Sequence, residues 1–341
     1  MVLVHVIIPK KISPKDYRRR YYEYFDDHVR NMTHLGYEHT EHYRKADFVI
    51  TGNRKYRELK KRKKIRSSQK YIIIEAQDSS PCCLREIQDD HVAAVFKHTV
   101  LTPTELNNDL KLKGRLHCTA LNAIYRVFGP GDPEFVEYNK FVIPPRDLLK
   151  IRCVIPHWSR YVKKGLHAHP RIPLAEREVD VSFLGTCNYR KLYSRQNIST
   201  LLTLNRMDLV KAITLLPFRT FTATSRLPYK DYMRVITNTK IFVSPYGWGE
   251  FSHKDFEVTL LGCVLIKPMC ANFKSYPNIY QDGITCVSCK LDYSDLEEKV
   301  RYLLDNPDVI AKIQTNVDEL FKTFNVAATQ QRELAAVLDT L

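Results

Sequence analysis

Short apolar runs recur along the chain and alternate with longer stretches in which apolar residues return at helical spacing. In the first half the runs are VLVHVIIP from Val2, ADFVITGN from Ala46, KYIIIEAQDSS from Lys70 and HVAAVFKHT from His91. Each is rich in Val and Ile over four to eight residues and ends in small or polar residues, the pattern of a strand buried on both faces. Between the first two, residues 16–39 carry tyrosines and apolar residues at mixed helical spacing, with Gly36 as the stop. The second half repeats the rhythm. VDVSFLGT, FRTFTATS, IFVSPYG, GCVLIKP and the short GITCVSC read as strands. Residues 195–215, PYKDYMRVITNTK, HKDFEVTLLG and the run from Asp295 to Phe324 read as helices, the last broken near Asn306-Pro307.

Strands alternating with helices imply parallel βαβ units. The expected fold is α/β, two Rossmann-like domains facing a cleft. At 341 residues the chain exceeds the size at which single cores stop growing, so two domains fit better than one. We place an amino-terminal Rossmann-like domain at 1–160, a carboxy-terminal one at 161–325, and a final helix at 326–341 that can cross back to the first. Residues 139–178 carry Pro144, Pro145, Pro156, Pro170 and Pro173 and read as a loop-rich wall between the domains. Strand carboxyl ends and helix amino ends meet at such a cleft, so function is sought there.

Composition narrows the classes. With 44% hydrophobic and 27% charged residues the chain is globular rather than disordered. No apolar run approaches the roughly 18 residues of a membrane span, and MVLVHVIIPKK is too short and turns basic too soon for a signal peptide. The expectation is a soluble cytoplasmic protein. Nine scattered cysteines suggest reduced thiols. Cys286-Val-Ser-Cys289 and Cys82-Cys83 lack a second pair at zinc spacing, so no metal site is expected. The formal charge of +15 is concentrated in RKYRELKKRKKIR, where nine of the thirteen residues from Arg54 to Arg66 are basic. Such a run is most often a solvated helix face; contact with an anionic membrane or a phosphate-rich partner is the other reading. No zinc finger, RNP-type signature or recognition helix accompanies it, so no specific nucleic-acid partner is expected.

The densest chemistry lies in SPYGWGEFSHKDFEVTLLGCVLIKP, Ser244 to Pro268. Ser244-Pro245-Tyr246-Gly247 ends a strand, and Gly247 and Gly249 allow a tight turn near a ligand. Ser252 is the helix N-cap, a place that favours a phosphate, and Lys254 adds a positive charge. Glu257, one turn on, can accept two hydroxyls of a ribose or a sugar. The same residues also describe an ordinary capped helix with a carboxylate in its first turns.

Ser252-x-Lys254-x-x-Glu257 followed by Gly262-Cys263-Val264 resembles the exostosin-type pattern. More broadly, residues 179–322 are similar to the donor-binding half of glycosyltransferases of the two-domain GT-B fold, and REVDVSFLGTCNYR resembles the strand, glycine turn and arginine that open that domain. The resemblance implies transfer of a sugar from a nucleotide-diphosphate sugar, a UDP-sugar, to a hydroxyl of a glycan or glycoprotein acceptor, with no cofactor and no bound metal. It assigns the diphosphate to Lys254, Arg190 and the helix end at Ser252, with Gly185, Thr186, Tyr246 and Gly247 lining that side and Glu257 holding the ribose. Three positions depart from the pattern. Gly249 stands eight residues before Glu257, where retaining enzymes have a glutamate, with Glu250 one residue out of register. Lys254 replaces the commoner arginine, and Leu265 replaces proline. The first departure favours inversion, which needs a base from the acceptor half. Asp78, at the end of YIIIEAQDSS, is the first choice, with Glu75, His98 and His157 as alternatives; Trp158 and Trp248 are candidates for stacking on sugar rings. Two other classes remain open: a protein that binds a nucleotide-sugar or glycan without turnover, and a nucleic-acid binder using residues 54–66.

Overall fold

The structure is a computed structural model that describes residues 1–8, 19–75, 85–103, 116–128, 143–154, 166–188, 197–324 and 327–341. The first sheet holds β1 (Val2–Val6), β2 (Tyr37–His39), β3 (Phe48–Gly52), β4 (Lys70–Ile74), β5 (Val92–Lys97) and β7 (Ile151–Cys153). All are parallel, in the order β2-β1-β3-β4-β5-β7. The near-continuous apolar runs are explained by burial on both faces: Val49, Ile50, Tyr71 to Ile74 and Ala94 to Phe96 are all buried. Each such side chain contributes roughly 1.5–3 kcal/mol relative to exposure.

On one face, α1 (Arg19–Arg30) packs Tyr21, Tyr22, Phe25 and Val29 against Ile50, Ile72 and Phe96; on the other, α2 (Asn53–Lys61) packs Tyr56 and Leu59, three residues apart, against Val49, Tyr71 and Ile73, while its basic positions face outward. The helix expected across 16–39 is shorter. It ends at Arg30, a tight turn over Thr33–Leu35 closes on Gly36 at φ 87°, and the chain then adds β2 beside β1. The supposed loop wall also yields a strand: after one helical turn, α4 (Pro145–Leu148), β7 becomes the sixth strand of the first sheet. Three-residue strands carry too little periodicity to be read beforehand.

The second sheet holds β8 (Val179–Leu184), β9 (Thr220–Ala223), β10 (Thr239–Val243), β11 (Val264–Pro268) and β13 (Val287–Cys289), again all parallel, in the order β13-β11-β10-β8-β9. Its helices are α5 (Asn197–Thr214), α6 (Tyr229–Thr237), α7 (His253–Leu260), α8 (Leu296–Asp305) and α9 (Pro307–Phe324). Counted from its own first strand, the second sheet runs 2-1-3-4-5 and the first runs 2-1-3-4-5-6, the order of a doubly wound fold with one strand added at the edge. The winding reverses between the first and third strands, β1 and β3 in one sheet and β8 and β10 in the other.

Several contacts join the units. β6 (Thr99–Leu101) and β12 (Phe273–Ser275), one from each unit, pair antiparallel. The helix α3 (Leu116–Tyr125) lies on α5, where the Tyr125 hydroxyl donates to Asp208 at 2.5 Å. The last helix, α10 (Ala327–Asp339), returns to α1: Leu334, Ala335 and Leu338 enter the core of the first unit, and Gln330 meets His28 at 3.0 Å. His98, just past β5, lies edge-on to the ring of Phe251, past β10, with centroids 5.4 Å apart. The carboxyl edges of the two sheets therefore face one another, the GT-B arrangement.

Candidate functional site

The second sheet opens at its reversal point into a cavity of about 260 Å³. Phe183, Leu184 and Thr186 come to it from the end of β8, and Phe242, Ser244 and Pro245 from the end of β10. Helices leave these two strands on opposite faces of the sheet, so the loops diverge and a crevice forms between them. Trp248, Ser252, Lys254 and Arg206 complete the lining.

Two cations meet at Gly185. A Cβ built there would stand 3.2 Å from both Arg206 Nη1 and Lys254 Nζ, so any larger residue would push into that pair. Arg206 is nearly buried on α5. It donates from Nε and Nη2 to the Tyr246 carbonyl at 3.1 and 3.0 Å, and from Nη1 to the Thr186 carbonyl at 2.9 Å. It thereby ties the loop after β8 to the loop after β10. The Lys254 ammonium donates to the Leu184 carbonyl. Burial, and next the nearby Arg206 charge, push its pKa down to about 8. A half-buried lysine beside a nearly buried arginine is an unfavourable arrangement that an anion between them relieves.

Ser252 caps α7 as expected. Its hydroxyl accepts the Lys254 N–H at 3.3 Å, and Asp255 accepts the Ser252 N–H at 3.2 Å. Asp255 has a second task. Its carboxylate lies 2.9 Å from the Lys267 ammonium, both side chains fully buried, and it also accepts the hydroxyls of Ser244 and, at 2.6 Å, Tyr280. One carboxylate thus locks the end of β10, the start of α7 and the end of β11. Glu257 projects from the next turn, and the Tyr232 hydroxyl on α6 donates to its Oε2 at 2.7 Å. Tyr246 is fully buried with its hydroxyl on the Pro268 carbonyl and its own carbonyl taken by Arg206, so it supports the cavity from behind rather than lining it. The Gly247 N–H donates to the Gly249 carbonyl at 3.3 Å.

Across the cleft, Glu75 follows β4 and accepts the Lys97 ammonium at 2.8 Å, both side chains buried. His98 is buried between Tyr21, stacked with centroids 6.2 Å apart, and Phe251. Desolvation, with the Lys97 and His253 charges adding to it, brings its pKa down to about 3, so its ring is neutral near pH 7. Glu250, also buried, is close enough to oppose that shift. Asp78, His157, Trp158 and Arg190 lie outside the described residues.

The structure brings Gly185, Thr186, Ser252 and Lys254 together around one cavity. Arg206, Asp255 and Lys267 were not singled out beforehand, although each had a signal: a charged residue on an otherwise apolar face. Arg206 falls in register with buried Leu202, Leu209 and Ile213, Asp255 with buried Val258 and Thr259, and Lys267 ends the apolar run of β11. Among the described residues no group of three or more His, Cys, Asp or Glu side chains could hold a metal ion, and no helix is long and apolar enough to cross a membrane.

Residues 206–334, which include most of this site, match the model of the glycosyl transferase-like family. The match covers the greater part of the carboxy-terminal unit, which is similar to that family. No curated protein matches the chain. Among solved structures, similarity over nearly the whole chain is found to Anabaena Alr3699/HepE in complex with UDP-glucose (11% identity, 100% of both chains, TM-score 0.40). It is also found to a glycosyltransferase of Rickettsia africae ESF-5 (12% identity, 98% of this chain and 97% of that one, TM-score 0.34). A third is WaaG, a glycosyltransferase involved in lipopolysaccharide biosynthesis (11% identity, 98% and 99%, TM-score 0.37). The strand order and the facing edges carry the fold assignment independently of these scores.

Proposed function

We propose that the protein is a glycosyltransferase that moves a sugar from a nucleotide-diphosphate sugar, a UDP-sugar, to a hydroxyl of a glycan acceptor. In this reading the reaction inverts the anomeric centre, needs no metal, and takes place in the cytoplasm. The observation that carries the reading is the cation-flanked cavity at the reversal point of the family-matched unit. As the anomeric C–O bond breaks, the leaving diphosphate keeps the bonding pair and gains one negative charge, so fixed positive charge must already be aimed at it. Lys254, the capped end of α7 at Ser252 and Arg190 supply that charge, with Arg206 holding the two loops in place. Glu257, oriented by Tyr232, takes the ribose hydroxyls.

The acceptor hydroxyl must lose its proton as it attacks the face of the sugar opposite the leaving group. Asp78, three residues beyond the buried Glu75, is our choice of base. Glu75 is taken up by its buried contact with Lys97, and His98 is a weak base with its pKa near 3, which makes both poorer candidates. The test is a panel of nucleotide-sugars titrated by calorimetry, with slow hydrolysis followed by proton NMR of the released sugar. Binding of one uridine donor and release of the inverted anomer is expected. Binding without turnover under any acceptor mixture would favour a non-catalytic nucleotide-sugar binder instead.

A further inference from the structure

The first unit carries a feature for which sugar transfer has no use. Because β3, β4, β5 and β7 are parallel, the loops before them all lie along one edge of the sheet, opposite the cleft. Contacts knit these loops into a rim. Arg66 donates to the Arg44 carbonyl, the Gln69 amide to the Ala46 carbonyl at 3.0 Å, Lys60 pairs with Asp89, and Lys150 donates to the Ile87 carbonyl at 2.8 Å.

Most carboxylates of the rim are already neutralised: Glu58 by Lys55 and Arg62, Glu86 by Arg57, Asp89 by Lys60 and Asp147 by Lys150. Lys45, Lys61, Lys63, Lys64 and Arg66 are exposed and, among the described residues, form no ion pair; Asp47 and Asp90 are the exposed carboxylates beside them. Unpaired like charges gathered on adjoining loops repel, and apart from Arg66 they contribute no side-chain hydrogen bond within the rim among the described residues. Lys63 adds a backbone argument. It closes α2 at φ 51°, with the Lys64 N–H reaching back to the Leu59 carbonyl at 3.0 Å, a position that glycine fills without strain. A cation is kept there against the preference of the backbone. Leu149, 67% exposed, lies on the same rim beside Lys150.

We propose that this rim docks the protein on an anionic phospholipid surface. Loop tips along one sheet edge make a line of points rather than a groove, which suits a plane of headgroups better than a duplex, and Leu149 offers an apolar contact that a phosphate backbone would not use. A consequence for the acceptor follows, resting on the transferase reading above. The five residues of β4 separate the rim from the cleft edge by about 17 Å. The acceptor hydroxyl must therefore stand at least that far from the headgroups, on a glycan several sugars long or on a soluble one.

The experiment is co-sedimentation of the full chain with phosphatidylcholine vesicles, with and without roughly one-third phosphatidylserine, at about 0.15 M and about 0.5 M salt. A 20-base-pair duplex (about two helical turns) is titrated in parallel. Binding to the anionic vesicles alone, falling at least about tenfold at the higher salt and in a K61Q/K63G/K64Q/R66Q variant, is the expected result. Replacing Lys63 by Gly relaxes the backbone, so this variant is expected to fold, and its circular dichroism and UDP affinity should match those of the parent chain. No sedimentation with anionic vesicles, undiminished sedimentation of the variant, or binding of the duplex alone would each overturn the docking. Loss of UDP binding in the parent chain would sink the transferase reading and leave the docking result standing. Equal use of a lipid-linked monosaccharide and a longer glycan would overturn the inferred reach.

Discussion

The two sheets share a strand order, yet their facing edges are built differently. In the carboxy-terminal unit the reversal point is open, and Arg206 and Lys254 leave positive charge at its mouth. Beneath it a buried pair, Asp255 and Lys267, fixes the surrounding loops from below. In the amino-terminal unit the buried pair, Glu75 and Lys97, stands at the cleft edge itself, beside an imidazole closed in by aromatic rings. One edge presents cations to an open crevice; the other closes its charges and an imidazole away from solvent. Topology alone therefore decides where a site can be, and the residues at the strand ends decide what it can do.

If this division is right, changes in the second unit alter donor binding or the stability of its loops, and changes in the first alter the rate. The largest expected effect is that of Asp78→Asn: donor affinity unchanged by calorimetry, transfer rate down about 10²–10⁴-fold. A full rate in that variant would move the base elsewhere. Next comes Asp255→Ala, which strands the buried Lys267 charge; urea unfolding should show a loss of about 3–5 kcal/mol. The double change Asp255→Asn with Lys267→Met should recover most of that. Should Asp255→Ala unfold at the parental midpoint, the scaffold role is wrong.

Lys254→Met should weaken UDP binding by about 10- to 100-fold, the worth of a charge-assisted contact, with little change in unfolding. The parent chain should show a matching pH dependence. Lys254 is charged below its pKa of about 8, so donor affinity should be flat there and fall by up to about tenfold per unit of pH above it, until the raised pKa of the bound state is passed. An affinity flat from pH 7 to pH 10 (roughly the span of the lysine titration) would contradict a role for the ammonium. The smallest effect is expected from Tyr232→Phe, a few-fold loss in affinity for UDP that is absent for a nucleotide lacking the ribose hydroxyls.

Stability offers a complementary probe of the first unit. His98 is neutral and buried, with its pKa of about 3 against an ordinary 6.5. Between those values the unfolded chain binds the proton and the folded one does not, so the contribution of His98 is complete above pH 6.5 and is lost as the pH falls toward 3. Replacing it with Phe should flatten the acid limb of the unfolding curve.

Much of the architecture was legible in the apolar runs, because buried parallel strands and one-sided helices impose periods that the chain displays directly. The stretch Ser244 to Pro268 was legible for the same reason: cap, cation and carboxylate are close in sequence, and local geometry brings them together. The strands β2 and β7 were not, since three residues carry no period and form only because a neighbouring strand supplies partners. Arg206, Asp255 and Lys267 were missed: a charge on an apolar face does not name its partner, and theirs on other elements lie 11 to 40 residues away.

By itself, then, the amino-acid order determined two α/β units, the capped helix and the cations near it, because those follow from interactions within a few residues. The tertiary structure alone decided that Arg206 joins the loops after β8 and β10, that Lys254 meets it at Gly185, and that the surplus of the basic run gathers on the edge away from the cleft. Such placements depend on which distant strand ends are made neighbours by the winding of the sheet. A one-dimensional pattern holds no record of that until long-range packing fixes it.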